Sequence, residues 1–323
     1  MKKSSWLFIM ILIVSTIMVV SANNWMSMWM GLEINLLSFT PLILNKTNKS
    51  SSEAAMMYFL IQSVSSMILM MMILNMMYST TFMKMVNNMI ITMSILIKMG
   101  AAPFHAWMPE IMSKMEWNKC LMLMTWQKVA PLMMMSNINN NFIINLSIIW
   151  STMIGSLGGI NQTSMRKMFG YSSINHLGWL MAINKSMNKW MIYLLTYSLL
   201  MMFICFTMMH YKIYFLNQMN NINMSNMEKV SMFIMMMSMG GMPPFIGFLP
   251  KWIVIQSMIH EKEFIMILIM IMFSLITLMY YMRIIINMTL FSNSSLKWIK
   301  NNSNNLPLIM ILINFSLPMI MII

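Results

Sequence analysis

The chain contains no aspartate, and its seven glutamates stand against eighteen lysines and two arginines. Charged residues fill only 8% of 323 positions, where a soluble domain is nearer a quarter charged. That scarcity excludes an ordinary soluble domain. Disorder is excluded as well, because 59% of the residues are hydrophobic and the mean hydropathy is +0.71, far above what an unfolding composition allows. Two cysteines, Cys120 and Cys205, make no disulfide framework and have no metal-ligand spacing. Both are expected to pack as small apolar residues. There is no Gly-x-Gly-x-x-Gly after a strand, no phosphate loop, no Cys-x-x-Cys and no His-Glu-x-x-His. A haem or iron–sulfur ligand set is equally absent, so no cofactor and no metal is expected on this chain. The net charge of +13 does not point to nucleic acid, because the basic residues stand singly or in pairs between apolar runs.

What is present is a series of apolar runs long enough to span a bilayer, which takes about 17–25 residues as helix. Behind Lys2 and Lys3, Trp6–Ala22 is read as an uncleaved first span. Further spans are expected at Trp25–Leu44, Ala54–Met77, Asn88–Trp107, Lys119–Ser136, Phe142–Ile160, Phe169–Ile183, Trp190–Leu216, Val230–His260, Phe264–Met288 and Leu306–Ile323. The fold class is therefore an all-α integral membrane protein of about eleven transmembrane helices. With that count, Lys84, Lys185, Lys189 and Lys262 fall on one side of the membrane. Setting aside Lys98, Lys128 and Lys251 inside spans, 20 − 4 − 3 = 13 basic residues remain for the other. The positive-inside rule puts the N-terminus on that inner side and the C-terminus outside. Gly155 and Gly159, at small-xxx-small spacing, are read as helix packing.

One stretch organises the chain: Lys98-Met99-Gly100-Ala101-Ala102-Pro103-Phe104-His105-Ala106-Trp107-Met108-Pro109. Pro103 lacks an N–H and its ring opposes the carbonyl of Met99, so a helix must kink or break here. The pattern recurs as Met239-Gly240-Gly241-Met242-Pro243-Pro244-Phe245, leading to Pro250-Lys251. Two broken helices in corresponding halves point to an inverted-repeat transporter core. The expected organisation is a first five-helix repeat over 1–138, a second over 139–290, and a loop with a C-terminal helix over 291–323.

Ionisable residues inside spans are costly and mark function by default. Lys128 lies mid-span in Thr125-Trp126-Gln127-Lys128-Val129-Ala130-Pro131, too deep for easy snorkelling. Burial opposes the charged form of a lysine, and a lysine that can exist in both forms can carry a proton. The competing reading is a lysine tied to a backbone carbonyl for packing. Glu33 is the one carboxylate clearly inside a span, and Lys98 is its natural counter-charge; the other glutamates sit at helix ends or in loops. Lys251 flanks the second break and is read either as part of a proton path or as an interfacial lysine beside Trp252. His176 and, less centrally, His105 are read either as proton relays or as hydrogen-bonded interface histidines. Ser172, Ser173 and Asn175 could line a hydrated path beside His176.

These segments, together with Trp29-Met30-Gly31-Leu32-Glu33-Ile34-Asn35, Asn161-Gln162-Thr163 and Tyr171-Ser172-Ser173-Ile174-Asn175-His176-Leu177-Gly178-Trp179, carry a resemblance. The chain resembles the chain 2 family of antiporter-like membrane subunits of mitochondrial NADH:ubiquinone oxidoreductase, respiratory complex I, relatives of Mrp-type cation/proton antiporters. The resemblance implies proton translocation through Glu33, Lys98, Lys128, His176 and Lys251, with Glu33 and Lys98 as the family's pair and Lys128 as its central lysine. It also implies that NADH, FMN, iron–sulfur clusters and ubiquinone are bound by other subunits. The implied partners are core and accessory subunits, neighbouring antiporter-like subunits and membrane lipids. Some members have a glutamate where this chain has Lys251. An excess of Met, Ile, Asn and Lys, with 56 methionines, resembles the codon bias of A- and T-rich animal mitochondrial genomes. The expected location is the mitochondrial inner membrane, N-terminus in the matrix and C-terminus in the intermembrane space. The alternatives are a free-standing cation/proton antiporter and a non-pumping membrane scaffold.

Overall fold

The computed structural model describes residues 3–44, 48–78, 81–138, 141–221, 224–290 and 306–316. Among them the regular elements are fourteen α-helices and two 3-10 turns, with one isolated bridge between Ser164 and Phe215. Lys2, Lys46, Lys297, Lys300 and the end of the expected eleventh span lie outside the described residues. Four helices, Lys49–Met76, Phe142–Ile160, Met187–His210 and Phe264–Met288, are long and apolar enough to cross a membrane, and Ser5–Ser21 is a shorter apolar helix. Several other apolar stretches are cut into shorter helices by backbone breaks.

The helices gather into two compact units, residues 1–151 with 184–187, and residues 152–183 with 188–323. The units part within a helix, whereas the repeat boundary expected from the sequence precedes that helix.

The first unit holds α1 (Lys3–Ser21), α2 (Trp25–Ile43), α3 (Lys49–Tyr78), α4 (Thr81–Met99), α5 (Trp107–Lys114), α6 (Trp117–Met124), α7 (Val129–Ser136) and the start of α8 (Asn141–Ile160). Lys119, expected at the end of a span on the inner side, is buried, and its ammonium donates to the Ile43 carbonyl at 3.1 Å. It thereby closes the negative end of α2. Lys114 pairs with Glu53 at 3.0 Å, both part-exposed, so solvent screening leaves this tie contributing little.

The break after α4 differs from expectation in its cause. Gly100 takes a left-handed φ of 69°. Its N–H donates to Ile97 and that of Ala101 to Leu96, at 3.2 and 3.1 Å. This is the Schellman closure, which favours glycine because no Cβ opposes the left-handed conformation. The helix has thus already ended before Pro103. The chain then runs on as α5 to Lys114, so the break lies inside the expected span, as its Gly100–Pro103 stretch implies, but the helix beyond it continues past the expected end at Trp107. A second break went unforeseen. The expected span Lys119–Ser136 is split at Thr125 into α6, a 3-10 turn Trp126–Lys128 and α7. Pro131 has no N–H to give to the carbonyl of Gln127, four residues earlier, which prevents a regular helix from running through Lys128.

The second unit holds the rest of α8, α9 (Met165–Ala182), α10 (Met187–His210), α11 (Asn226–Gly240), α12 (Phe248–His260), α13 (Phe264–Leu290) and α14 (Leu306–Asn314). α9 is buried from Phe169 to Met181 except at Tyr171, as a helix inside a bundle must be. The two glycines at small-xxx-small spacing serve different neighbours. A Cβ at Gly155 would lie 2.8 Å from the Tyr171 carbonyl oxygen of α9, and one at Gly159 would lie 2.7 Å from the Tyr280 ring of α13. Both arginines are occupied: Arg283 donates to the Ile160 carbonyl at the end of α8 at 2.9 Å, and Arg166 stacks over Tyr214 at 4.8 Å.

α11 begins with a capping box. Glu228 Oε2 accepts from the N–H and hydroxyl of Ser225 at 2.8 and 2.9 Å, and the Ser225 hydroxyl accepts from the Glu228 N–H at 3.4 Å. Burial pushes the Glu228 carboxyl up, but hydrogen bonds from Tyr211 and Ser225 and the nearby His210 outweigh it and hold it below 4.5. A carboxyl depressed in the folded state stabilises it above the ordinary carboxylate value, and that stability is lost as pH falls through the folded value. Hydrogen exchange at the first turn of α11, corrected for intrinsic rates, is therefore expected to accelerate as pH drops below 4.5. A Glu228→Gln variant should show faster exchange near pH 7 and lose the acid dependence; a wild-type profile in the variant would contradict this account.

Candidate functional site

Residues of α2 to α7 and of the 3-10 turn converge in the first unit on a small cavity of about 20 Å³. α4 delivers Lys98 from its last turn, and the 3-10 turn delivers Lys128; α2 adds Asn35, and α3 adds Tyr58 and Gln62. Lys98 is 6% exposed and Lys128 2%. Both line the cavity, so this structure brings two of the expected residues to one polar space. Neutral donors complete the α4 break: Trp107 Nε1 donates to the Ile97 carbonyl at 3.2 Å, beside the Gly100 N–H, and Gln62 Nε2 donates to the Lys98 carbonyl at 3.1 Å. The Lys98 side chain is therefore not needed to close its own helix.

Glu33 is half-buried and does not line the cavity. Leu32, Asn35 and Leu36 present the facing stripe of α2; helical periodicity turns position 33 aside from it. Among the described residues Glu33 and Lys98 make no direct ion pair, and their charges interact only through space. His105 sits in the break loop, with Nδ1 at 3.2 Å from the Pro103 carbonyl oxygen, and is not among the cavity residues.

In the second unit Gly241 repeats the left-handed closure, with φ 78°; its N–H donates to Ser238 at 2.9 Å and that of Met242 to Met237 at 3.3 Å. The two left-handed glycines are 241 − 100 = 141 residues apart, the same offset as Pro250 − Pro109. The two copies therefore stay in register from the left-handed glycine to the last proline. Here the lysine itself closes the break. Lys251, 4% exposed, donates to the Gly240 carbonyl at 2.7 Å and lies over the Trp179 ring at 5.5 Å from its centroid. This is a buried position, unlike that of an interfacial lysine; the exposed neighbour is Trp252. His176 Nδ1 is 2.8 Å from the Tyr193 hydroxyl, and its ring lies 4.8 Å from that of Tyr197. Ser172, Ser173 and Asn175 are buried beside it.

Residues 22–277 match the family described as NADH:quinone oxidoreductase/Mrp antiporter, TM. The chain belongs to that antiporter family. The NADH-ubiquinone oxidoreductase chain 2 of Anopheles gambiae is 44% identical over 94% of this chain and 92% of that one. The protein of the same name from Aedes aegypti is 43% identical over 96% and 94%. Among solved structures, a chain of respiratory complex I from Thermus thermophilus superposes with a TM-score of 0.85, covering 98% of this chain and 79% of that one at 16% identity. A chain of the Mrp complex from Dietzia sp. gives 0.78, covering 89% and 60% at 16% identity. At these identities the structures speak for the fold.

Within this antiporter-family chain, four cavity residues escaped the sequence reading: Asn35, Tyr58, Gln62 and Gln127. The available signal was an amide inside an apolar span, which burial makes costly without a partner. Among the described residues no cluster of His, Cys or Glu has the makings of a metal site.

Proposed function

We propose that this chain is the proton-translocating, antiporter-like membrane subunit of NADH:ubiquinone oxidoreductase, complex I. The observation that carries the reading is the pair of buried lysines, Lys98 and Lys128, facing one polar cavity. They do so in a chain 44% identical to a protein of that complex. The cavity gives each ammonium a place to exchange a proton with water out of reach of the lipid. Glu33 tunes Lys98 by its through-space charge, and Lys251 and His176 carry the path in the second unit. Quinone reduction elsewhere in the complex drives the transfer, with NADH, FMN, iron–sulfur clusters and ubiquinone held by other subunits.

In this reading the chain crosses the mitochondrial inner membrane about eleven times as two inverted repeats, 1–138 and 139–290, with a C-terminal segment 291–323. The N-terminus lies in the matrix and the C-terminus in the intermembrane space. Core and accessory subunits and lipids surround it. The fold likeness to the Mrp complex favours a second reading, a free-standing cation/proton antiporter. Affinity purification of this chain from solubilised membranes separates the two. It is expected to bring down an assembly that reduces ubiquinone with NADH and, in vesicles, acidifies one side. Recovery of the chain alone, exchanging sodium for protons without NADH, would replace the first reading with the second.

A further inference from the structure

The cavity of the first unit contains an unfinished set of hydrogen bonds. Asn35 is 3% exposed, and its Oδ1 has no hydrogen-bond partner. Gln127 Nε2 is likewise buried without one, although Gln127 Oε1 accepts from the Tyr58 hydroxyl at 3.4 Å. Both amides line the same cavity as Lys98 and Lys128. Exchanging the oxygen and nitrogen of Gln127, which X-ray maps seldom distinguish, would only put its oxygen in the unmet position. Buried polar atoms are almost always satisfied by protein or ordered water. Here one unmet acceptor and one unmet donor face a cavity whose other polar walls are two lysines, a tyrosine and Gln62. A water with several polar partners is the ligand such a site selects.

We propose that Asn35 and Gln127 are positioning residues that hold water between Lys98 and Lys128, so that a proton crosses from one lysine to the other while both stay on their helices. In that step the Lys98 ammonium breaks an N–H bond and gives its proton to the water oxygen. The water in turn breaks one O–H bond and gives that proton to the neutral Lys128 amine. One ammonium, one amine and one water remain at the end, and the step runs equally in reverse. The water donates to Asn35 Oδ1 and accepts from Gln127 Nε2 between transfers, which keeps it in line. The assignment rests on the proton-translocating reading and adds the residues that organise the transfer.

The test uses whole complex assembled with Asn35→Leu, Asn35→Ser, Gln127→Met or Lys128→Met and reconstituted in vesicles. NADH-driven proton uptake is measured in H₂O and D₂O. Asn35→Leu and Gln127→Met are expected to slow pumping about tenfold, less than the roughly hundredfold or more for loss of a proton-transfer group itself, and to enlarge the solvent isotope effect. Asn35→Ser, which keeps an acceptor, is expected to restore most of the rate. Wild-type rates and isotope effects in both apolar variants, with Lys128→Met inactive, would overturn this inference and leave the functional reading standing. A fully active Lys128→Met would remove the functional reading itself. Should the apolar variants fail to assemble, a high-resolution map of the wild-type complex decides. Ordered water within hydrogen-bonding distance of both amides upholds the assignment, and a dry cavity overturns it.

Discussion

Complex assembled with Lys128→Met is expected to pump protons at about a hundredth of the wild-type rate or less, the scale of removing a positioned proton-transfer group. The side chain is 2% exposed, stands on a 3-10 turn between α6 and α7, and lines the polar cavity with Lys98. Methionine is unbranched and flexible and only one heavy atom shorter than lysine, so it fills nearly the same volume. It also removes a charge that costs about 3 kcal/mol to place at the bilayer centre on insertion scales, and assembly should survive. Native gels report assembly, NADH oxidation with a quinone analogue reports turnover, and a pH-sensitive dye inside vesicles reports pumping. Intact assembly with lost pumping is the expected outcome. Unchanged pumping would make Lys128 a packing residue and reduce this unit to a scaffold.

Gly247→Ala is expected to abolish accumulation of the assembled subunit. Gly247 precedes α12 with an ordinary φ of −64°, so backbone strain is not the issue. The obstacle is the Ser238 carbonyl of α11, into which a Cβ would project with no room at all. Ser238 lies in the last turn of α11, and its carbonyl already accepts from Gly241. It therefore cannot swing away without opening the helix end. On the other side, Ile246 donates its N–H to the Asn314 carbonyl at 3.1 Å, and Phe245 packs against Phe315 at 5.6 Å. The loop is held at both sides, and overpacking in such a place costs several kcal/mol where it cannot relax. Quantitative blotting of membranes carrying Gly247→Ala should find the chain depleted. Accumulation at the wild-type level would mean that the break is far softer than its contacts imply.

Much of this architecture is readable from residue order, because low charge and long apolar runs leave helix as the economical way to satisfy backbone groups in lipid. Gly100 and Gly241 could be located because glycine beside proline is a strong local signal. Lys98, Lys128 and Lys251 stood out because a lysine in an apolar run is rare. The split between α6 and α7 was hidden: Pro131 is a single interruption in a run that otherwise reads as one helix. The cavity was harder still. Asn35, Tyr58, Gln62 and Gln127 come from three segments, and their meeting depends on which faces of those helices converge. Local spacing does not encode that convergence. The abundance of asparagine elsewhere in the chain also makes one buried Asn35 inconspicuous. The position of Glu33 was within reach, since helical spacing sets 32, 35 and 36 together and leaves 33 to the side.

The two left-handed breaks share a backbone and differ in what fastens them. At Gly100 the last carbonyls of the helix accept from an indole and an amide, groups that never titrate. At Gly241 the fastener is the Lys251 ammonium on the Gly240 carbonyl. A charged donor makes roughly twice the bond of a neutral one. Under the proposed function, proton occupancy at Lys251 is thus also a mechanical variable. Each time this lysine hands on its proton, the joint between α11 and α12 slackens, and each time it is reloaded the joint stiffens. The first break is a fixed fitting that protons pass by; the second is one that they tighten and loosen in passing.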